Sequence, residues 1–216
     1  MPVSKEAIME AVDKAKEVSK KRKFKQSVDL ILSLRDVDVK KPENKINEIV
    51  EIPNTFGKKQ RVCVIATGEL ALRAKKAGAD RVMRKENLEA FLKDKKTANK
   101  LVDEFDFFVA EAPMMPLIGK TLGAALGPAG KMPTPLPPRA PIGEMIEKYR
   151  KMIRVRVWNQ PNFQHSVGTE DMPSEKIAEN IISVITKLEE KLKRGIKNIR
   201  SAKVKLTMGK PVEIKL

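Results

Sequence analysis

Between Ser174 and Gly195 the apolar residues Ile177, Ile181, Ile185, Leu188 and Leu192 recur at three- and four-residue spacing. That stripe predicts a helix over 173–194 with one buried face. Pro173 and Glu175 favour its start, and Gly195 is expected to close it as the residue after the cap. A similar stripe, Ile8, Ala11, Val12, Ala15 and Val18, predicts a helix over 5–19. Between these helices the period drops to two. SVDLILSLRDVDV (27–39) alternates Val28, Leu30, Leu32, Leu34 and Val37 with polar residues, as a strand with one buried face does. KKPENK (40–45) is turn chemistry, and INEIVEIP (46–53) is expected as a second strand, antiparallel to the first. NTFGKKQ (54–60) is a polar connector.

The pattern then changes. RVCVIAT and FDFFVAEA are continuous apolar runs, of the kind buried on both faces of a parallel sheet. Helical stretches alternate with them: GELALRAKKAGAD ending at Gly78, ENLEAFLKDKKTANKLVDE, and PMMPLIGKTLGAAL up to Gly127. Strand alternating with helix over this length predicts a small α/β domain with a parallel sheet. From Met152 two-residue alternation returns, with Ile153, Val155 and Val157 on one face and Arg154 and Arg156 on the other. After the long helix, IRSAKVKLTMGKPVEIKL reads as one or two strands with Pro211 at an edge or bend. Neither end of the chain has enough strands to bury a core alone. The expected class is therefore α+β in two domains. Residues 1–60 and 155–216 build one discontinuous antiparallel-sheet domain, and 61–154 form an α/β insert.

Charge narrows the function. Across 216 residues, 44 Lys and Arg against 28 Asp and Glu give +16. Lys187 to Lys215 contains ten basic residues against Glu189, Glu190 and Glu213, and KKRKFK (20–25) sets five around Phe24. Two such clusters point to a polyanionic partner. Nine aromatic residues are too few for a stacking platform along a single strand. If that partner is RNA, shape, 2′-OH and backbone contacts are expected to carry recognition. One cysteine, Cys63, and one histidine, His165, leave no material for a disulfide or a Cys/His metal site. No apolar run approaches the ~18 residues of a membrane span, and the acid-interrupted N-terminus does not resemble a secretory signal.

The stretch LGAALGPAGKMPTPLPPRAP (122–141) raises a nucleotide-binding alternative, because it contains Gly130-Lys131. A phosphate loop reads G-x-x-x-x-G-K-[ST]. Here Ala125 stands at the first glycine position, Met132 at the hydroxyl position, and Pro128 removes a backbone donor. ATGELA, after the first apolar run, supplies Gly68 alone rather than a dinucleotide fingerprint. The expectation is no cofactor and no enzymatic activity. Gly127 and Gly130 should release the chain from a helix into an extended segment stiffened by Pro133, Pro135, Pro137 and Pro138.

Four segments, KFKQSVDLIL, LGAALGPAGKMPTP, HSVGTEDMPSEKIAENI and SAKVKLTMGKPVEI, lie in the order found in the L-one family of large-subunit ribosomal proteins, which the chain resembles in its archaeal form. The resemblance implies that the insert is Rossmann-like and that the first domain binds RNA. Position by position it implies RNA contacts at Lys23, Phe24 and Ser27, at Ser201, and at Thr207, Met208 and Gly209, with His165 and Gly168 in a further matching segment. Core packing is the competing account of Phe24 and Met208. The implied partners are the large-subunit rRNA stalk beside the tRNA exit site, the exit-site tRNA and the protein's own mRNA. A cytoplasmic protein, monomeric when free of the ribosome, is expected. A non-ribosomal RNA chaperone is the remaining alternative.

Overall fold

Strand β1 (Ser27–Leu34) buries Val28, Leu30, Leu32 and Leu34 and leaves the residues between them half-exposed. In the computed structural model, which describes residues 4–41, 44–57, 60–91, 95–137 and 140–215, this strand is interior to an antiparallel sheet. Its neighbours are β8 (Asn162–Thr169) on one side and β9 (Ile199–Leu206) on the other, with β10 (Val212–Ile214) beyond β9. Helix α1 (Lys5–Val18) buries Ile8, Ala11, Val12 and Ala15, and α8 (Ser174–Lys191) buries Ile177, Ile181, Val184, Ile185 and Leu188. The two helices pack on each other and on one side of the sheet. Full burial of each such aliphatic side chain contributes roughly 1.5–3 kcal/mol.

Strand β2 (Ile46–Glu51) does not pair with β1. It pairs antiparallel with β7 (Met152–Val157), from Ile46 opposite Val157 to Glu51 opposite Met152. Both edges of β1 are already taken by β8 and β9, so β2 has no ladder to join there. The ribbon still shares the core through Ile46, Val50, Ile153, Val155 and Val157. Two more expectations shift. β1 stops at Leu34 rather than near residue 39, because Arg35 N–H turns to the Asn198 carbonyl (2.7 Å) and Asp36 takes φ 58°. Gly195 does not close α8: the helix ends at Lys191, Leu192 is extended, and Gly195 (φ 55°) opens a 3₁₀ turn over Gly195–Asn198.

By its contacts the chain divides into two units, Met1–Lys58 with Lys151–Leu216, and Lys59–Arg150. The second unit holds a parallel sheet of β3 (Val62–Ile65), β4 (Arg81–Met83), β5 (Phe107–Glu111) and β6 (Thr134–Leu136), in the order β4-β3-β5-β6. Every residue of β3 is buried, as its unbroken apolar run requires. Helices α3 (Lys85–Phe91), α4 (Lys95–Glu104), α5 (Met115–Thr121) and α6 (Gly123–Ala129) supply a core with Ile65, Phe108 and Ala110. Helices α2 (Gly68–Lys76) and α7 (Ile142–Arg150) pack on each other and against β3, and Tyr149 of α7 meets the Phe107 ring at 5.5 Å. The helical expectation over 86–104 includes 92–94, which lie outside the described residues, as does Pro138.

The Gly/Pro-rich stretch departs from expectation at Gly127, which lies within α6 together with Pro128. The release point is Gly130, left-handed at φ 67°. Its N–H reaches the Gly127 carbonyl and that of Lys131 reaches Leu126, a glycine-closed helix end. Pro135 then sits in β6, an edge strand beside β5, where a missing donor is tolerated.

Candidate nucleic-acid interface

One end of the four-stranded sheet gathers the start of β1, the end of β8 and the end of β9. The buried side chain of Gln26, 1 % exposed, ties the loops there together. Its Oε1 accepts from Met208 N–H (3.2 Å), and its Nε2 lies 3.3 Å from both the Lys20 carbonyl and Glu170 Oε2. Its backbone carbonyl accepts from Glu170 N–H (3.0 Å). A buried amide with its donors and acceptor matched in this way fixes loop geometry. Phe24 is 50 % and Met208 61 % exposed, so neither belongs to the core. Lys23 is exposed beside Phe24.

Thr207 does not hold its hydroxyl free. Thr207 Oγ1 accepts from Ser27 N–H at 3.0 Å and lies 3.4 Å from the Ser27 carbonyl, while Thr207 N–H donates to that same carbonyl at 3.1 Å. Gly209 has a packing reason to be glycine: a Cβ there would stand 3.2 Å from Leu206 Cβ and 3.3 Å from Ser19 Oγ. Beside this turn lies a cleft of about 370 Å³, bordered by Lys16, Lys20, Lys21 and Arg22 with Glu170 and Asp171. Burial pushes the Lys16 ammonium below the usual lysine range, and Lys16 Nζ donates to the Met172 carbonyl at 2.6 Å. Lys25 pairs with Asp171 at 2.7 Å, a hydrogen bond that raises its pKa.

Ser201 is elsewhere. It pairs with Ser33, six residues along β1 from Ser27, so roughly 20 Å of strand separates it from Thr207 at ~3.3 Å per residue. What connects them is a face. On β9, Ser201, Lys203 and Lys205 alternate with buried Ala202, Val204 and Leu206. Register places Asp29 opposite Lys205 and Ile31 opposite Lys203; across β1 it places Asp29 opposite Ser166 and Ile31 opposite Gln164. These residues line the sheet face turned away from α1 and α8, as a half-exposed polar strip with two lysines. The family motifs did not single out Lys203, Lys205, Asp29 or Gln164; two-residue alternation in SAKVKL is the signal that finds the two lysines.

His165 and Gly168 stand apart from the strip. His165 pairs across β1 with buried Leu30 and stacks on buried Phe163, centroids 6.4 Å apart and planes 8° from parallel. Gly168 is buried where a Cβ would come within 2.9 Å of Ile177 Cγ1. Both lie on the helix-packed side.

In the second unit, the features that suggested a phosphate site are engaged internally. Lys131 Nζ donates to the carbonyls of Val102 (2.7 Å) and Phe105 (2.8 Å) at the end of α4. At the start of α2, where a phosphate would meet the helix N-terminus in a sheet of this kind, the Glu111 carboxylate accepts from Thr67 N–H (3.0 Å) and Thr67 Oγ1 (2.8 Å). Among the described residues no cluster of three or more His, Cys, Asp or Glu could hold a metal ion, and no helix is long and apolar enough to cross a membrane.

Sequence comparison gives the family. Residues 14–210 match the profile of the Ribosomal protein L1p/L10e family. The chain belongs to that family. It is 49 % identical over 207 residues to the large ribosomal subunit protein uL1 of Methanothermobacter thermautotrophicus, covering 96 % of this chain and 98 % of that one. The uL1 protein of Hyperthermus butylicus is 46 % identical over 214 residues, covering 99 % and 98 % respectively. That of Archaeoglobus fulgidus is 41 % identical over 214 residues, covering 99 % of this chain and the whole of its own.

Proposed function

We propose that this member of the L1p/L10e family is a non-enzymatic RNA-binding protein of the large ribosomal subunit in the cytoplasm. It holds the rRNA stalk beside the tRNA exit site and aids release of deacylated tRNA. The observation that carries the reading is that Phe24 and Met208 are both exposed, with the Met208 backbone held by Gln26 at the end of a lysine-bearing sheet face. Large apolar side chains exposed in a basic surface suit insertion against sugars and bases, while lysines neutralise phosphate. Lys23, Phe24, Ser27, Ser201, Thr207, Met208 and Gly209 form the contact set in this reading, and Lys203 and Lys205 extend it. His165 and Gly168 act in it as supports rather than contacts. The first unit is the RNA-binding domain, and the second is a Rossmann-like insert in which Lys131 is bonded to backbone carbonyls and Glu111 occupies the start of α2.

The same face would serve autoregulation, since an mRNA site folded like the rRNA site would meet the same residues. Footprinting on large-subunit rRNA tests the reading: protection should concentrate in the stalk, and affinity should fall steeply as salt rises, through counterion release. Uniform weak protection across the rRNA would instead favour a chaperone. A chain in which residues 59–150 are replaced by a short linker should keep specific binding. Ile52 N–H bonds the Lys151 carbonyl at 2.9 Å, so the chain re-enters the first unit beside the end of β2 and the linker has a fixed point to return to.

A further inference from the structure

The polar strip carries one residue that a polyanion-binding face should avoid. Among the described residues of β1, β8 and β9, Asp29 is the only acid on that face; Glu213 lies beyond it on edge strand β10. It is half-exposed and sits between Lys205 on one neighbour and Ser166 on the other. Among the described residues it makes no ion pair within 4.0 Å, although Lys205 is its cross-strand partner. Ser166, opposite it on β8, turns its hydroxyl to the Val28 and Gly168 carbonyls, 3.5 Å from each. Partial burial pushes the Asp29 carboxyl above the usual range, with Lys205 and His165 opposing the shift. The fold thus keeps a carboxylate at a place that penalises its charge, in the middle of a surface meant for phosphates.

We infer that Asp29 is a specificity-determining residue, accepting hydrogen bonds from the N–H edge of an RNA base laid on the strip. The inference rests on the proposed RNA face and deepens it. An ionised carboxylate is acceptor-only, and carboxylates read amino groups on base edges. The Watson–Crick edge of an unpaired guanine, with its imino and amino donors side by side, matches two carboxylate oxygens. RNA presenting such a donor gains a charge-assisted bond, and RNA without one meets uncompensated repulsion. Lys203 and Lys205 attract any RNA; Asp29 selects among them.

The test uses the full chain with Asp29→Asn and, separately, with Lys203 and Lys205 both changed to Ala. The probes are a transcript of the large-subunit rRNA stalk and heparin, a polyanion without bases. The lysine variant should weaken both probes. Asp29→Asn should split them: about tenfold weaker for the transcript, the scale of one lost bidentate base contact, and stronger for heparin, because a repelling charge is gone. If Asp29→Asn strengthens both, the carboxylate repels without reading and the inference fails while the RNA face stands. If the lysine variant changes neither probe, the face itself is wrong and the inference falls with it. Asp29→Ser, measured in parallel with melting temperatures, guards against a folding defect peculiar to Asn. A transcript made 2′-deoxy across the protected nucleotides should show the same Asp29→Asn loss. Disappearance of the loss there would assign the donor to a ribose and overturn the base assignment.

Discussion

Thr207 and Ser27 clasp the ends of β9 and β1: one threonine supplies its N–H to the Ser27 carbonyl and its hydroxyl oxygen to the Ser27 N–H. The clasp makes Thr207 both scaffold and candidate contact. Thr207→Val, which keeps shape and loses the hydroxyl, should lower stability by about 0.5–1.5 kcal/mol and weaken stalk RNA binding as well. Thr207→Ser should restore most of both. Denaturant unfolding and RNA titration on the same samples check this, and a stable but binding-deficient Val variant would mean that the hydroxyl matters to RNA alone.

Met208→Ala should behave differently. A side chain 61 % exposed leaves little cavity when truncated, so stability should stay within about 0.5 kcal/mol while affinity drops. Phe24→Ala should follow the same pattern. A loss of about 2–5 kcal/mol, the cost of emptying a core site, would show that these residues pack inward in solution.

Gly168→Ala reverses the pattern. With Ile177 Cγ1 2.9 Å from the new Cβ, the buried Ile177 side chain or helix α8 must shift, at an expected cost of about 1–3 kcal/mol. The folded fraction should bind stalk RNA with unchanged affinity. Calorimetric melting and a titration corrected for folded protein separate the two quantities.

Asp29 adds a pH signature. Its carboxyl titrates higher in the folded chain than in the unfolded one, with burial as the main cause, so its ionised form costs stability above the folded pKa. That cost is relieved as pH falls through the folded pKa, and it is absent below the unfolded one. Asp29→Asn should therefore melt at or above the parent temperature at pH 7. The difference should close as pH falls to about 3, beneath the ordinary Asp range.

Lys131 and Cys63 test the second unit. Lys131→Met strands the Val102 and Phe105 carbonyls and should cost about 1–3 kcal/mol. Calorimetry with Mg-ATP should show no binding before or after the change. Cys63 is fully buried and its thiol is pushed up to about 12 by burial, so a thiolate-seeking reagent at neutral pH should label it only at the rate at which the second unit opens.

Much of the fold was legible because burial leaves a period. The α1 and α8 stripes, the alternation in β1 and β7, and the unbroken apolar run of β3 all reappear as buried faces. Periodicity shows which side of a strand is covered and not which strand lies beside it, so the pairing of β2 with β7 could not be read from INEIVEIP. Glycine misled twice, at Gly127 inside α6 and Gly195 beyond α8, because a glycine's permissiveness is used only where tertiary contacts demand it. For the candidate site, short motifs pointed to Phe24 and the 207–209 turn. The strip that sets Ser201, Lys203 and Lys205 beside Asp29, Gln164 and Ser166 is assembled by register across three strands, and no single segment contains it.

Strand β1 is made early in synthesis, yet its two neighbours begin at Asn162 and Ile199. Residues 27–34 must therefore wait, unpaired, while well over a hundred further residues are translated at ~5–20 per second. The unit at Lys59–Arg150 is continuous in sequence and can fold in that interval. A chain interrupted anywhere before Leu206 has no completed β9, hence no lysine strip and no Thr207 clasp. On the proposed reading such an unfinished chain should not hold stalk RNA, so completing β9 would act as a check on translation.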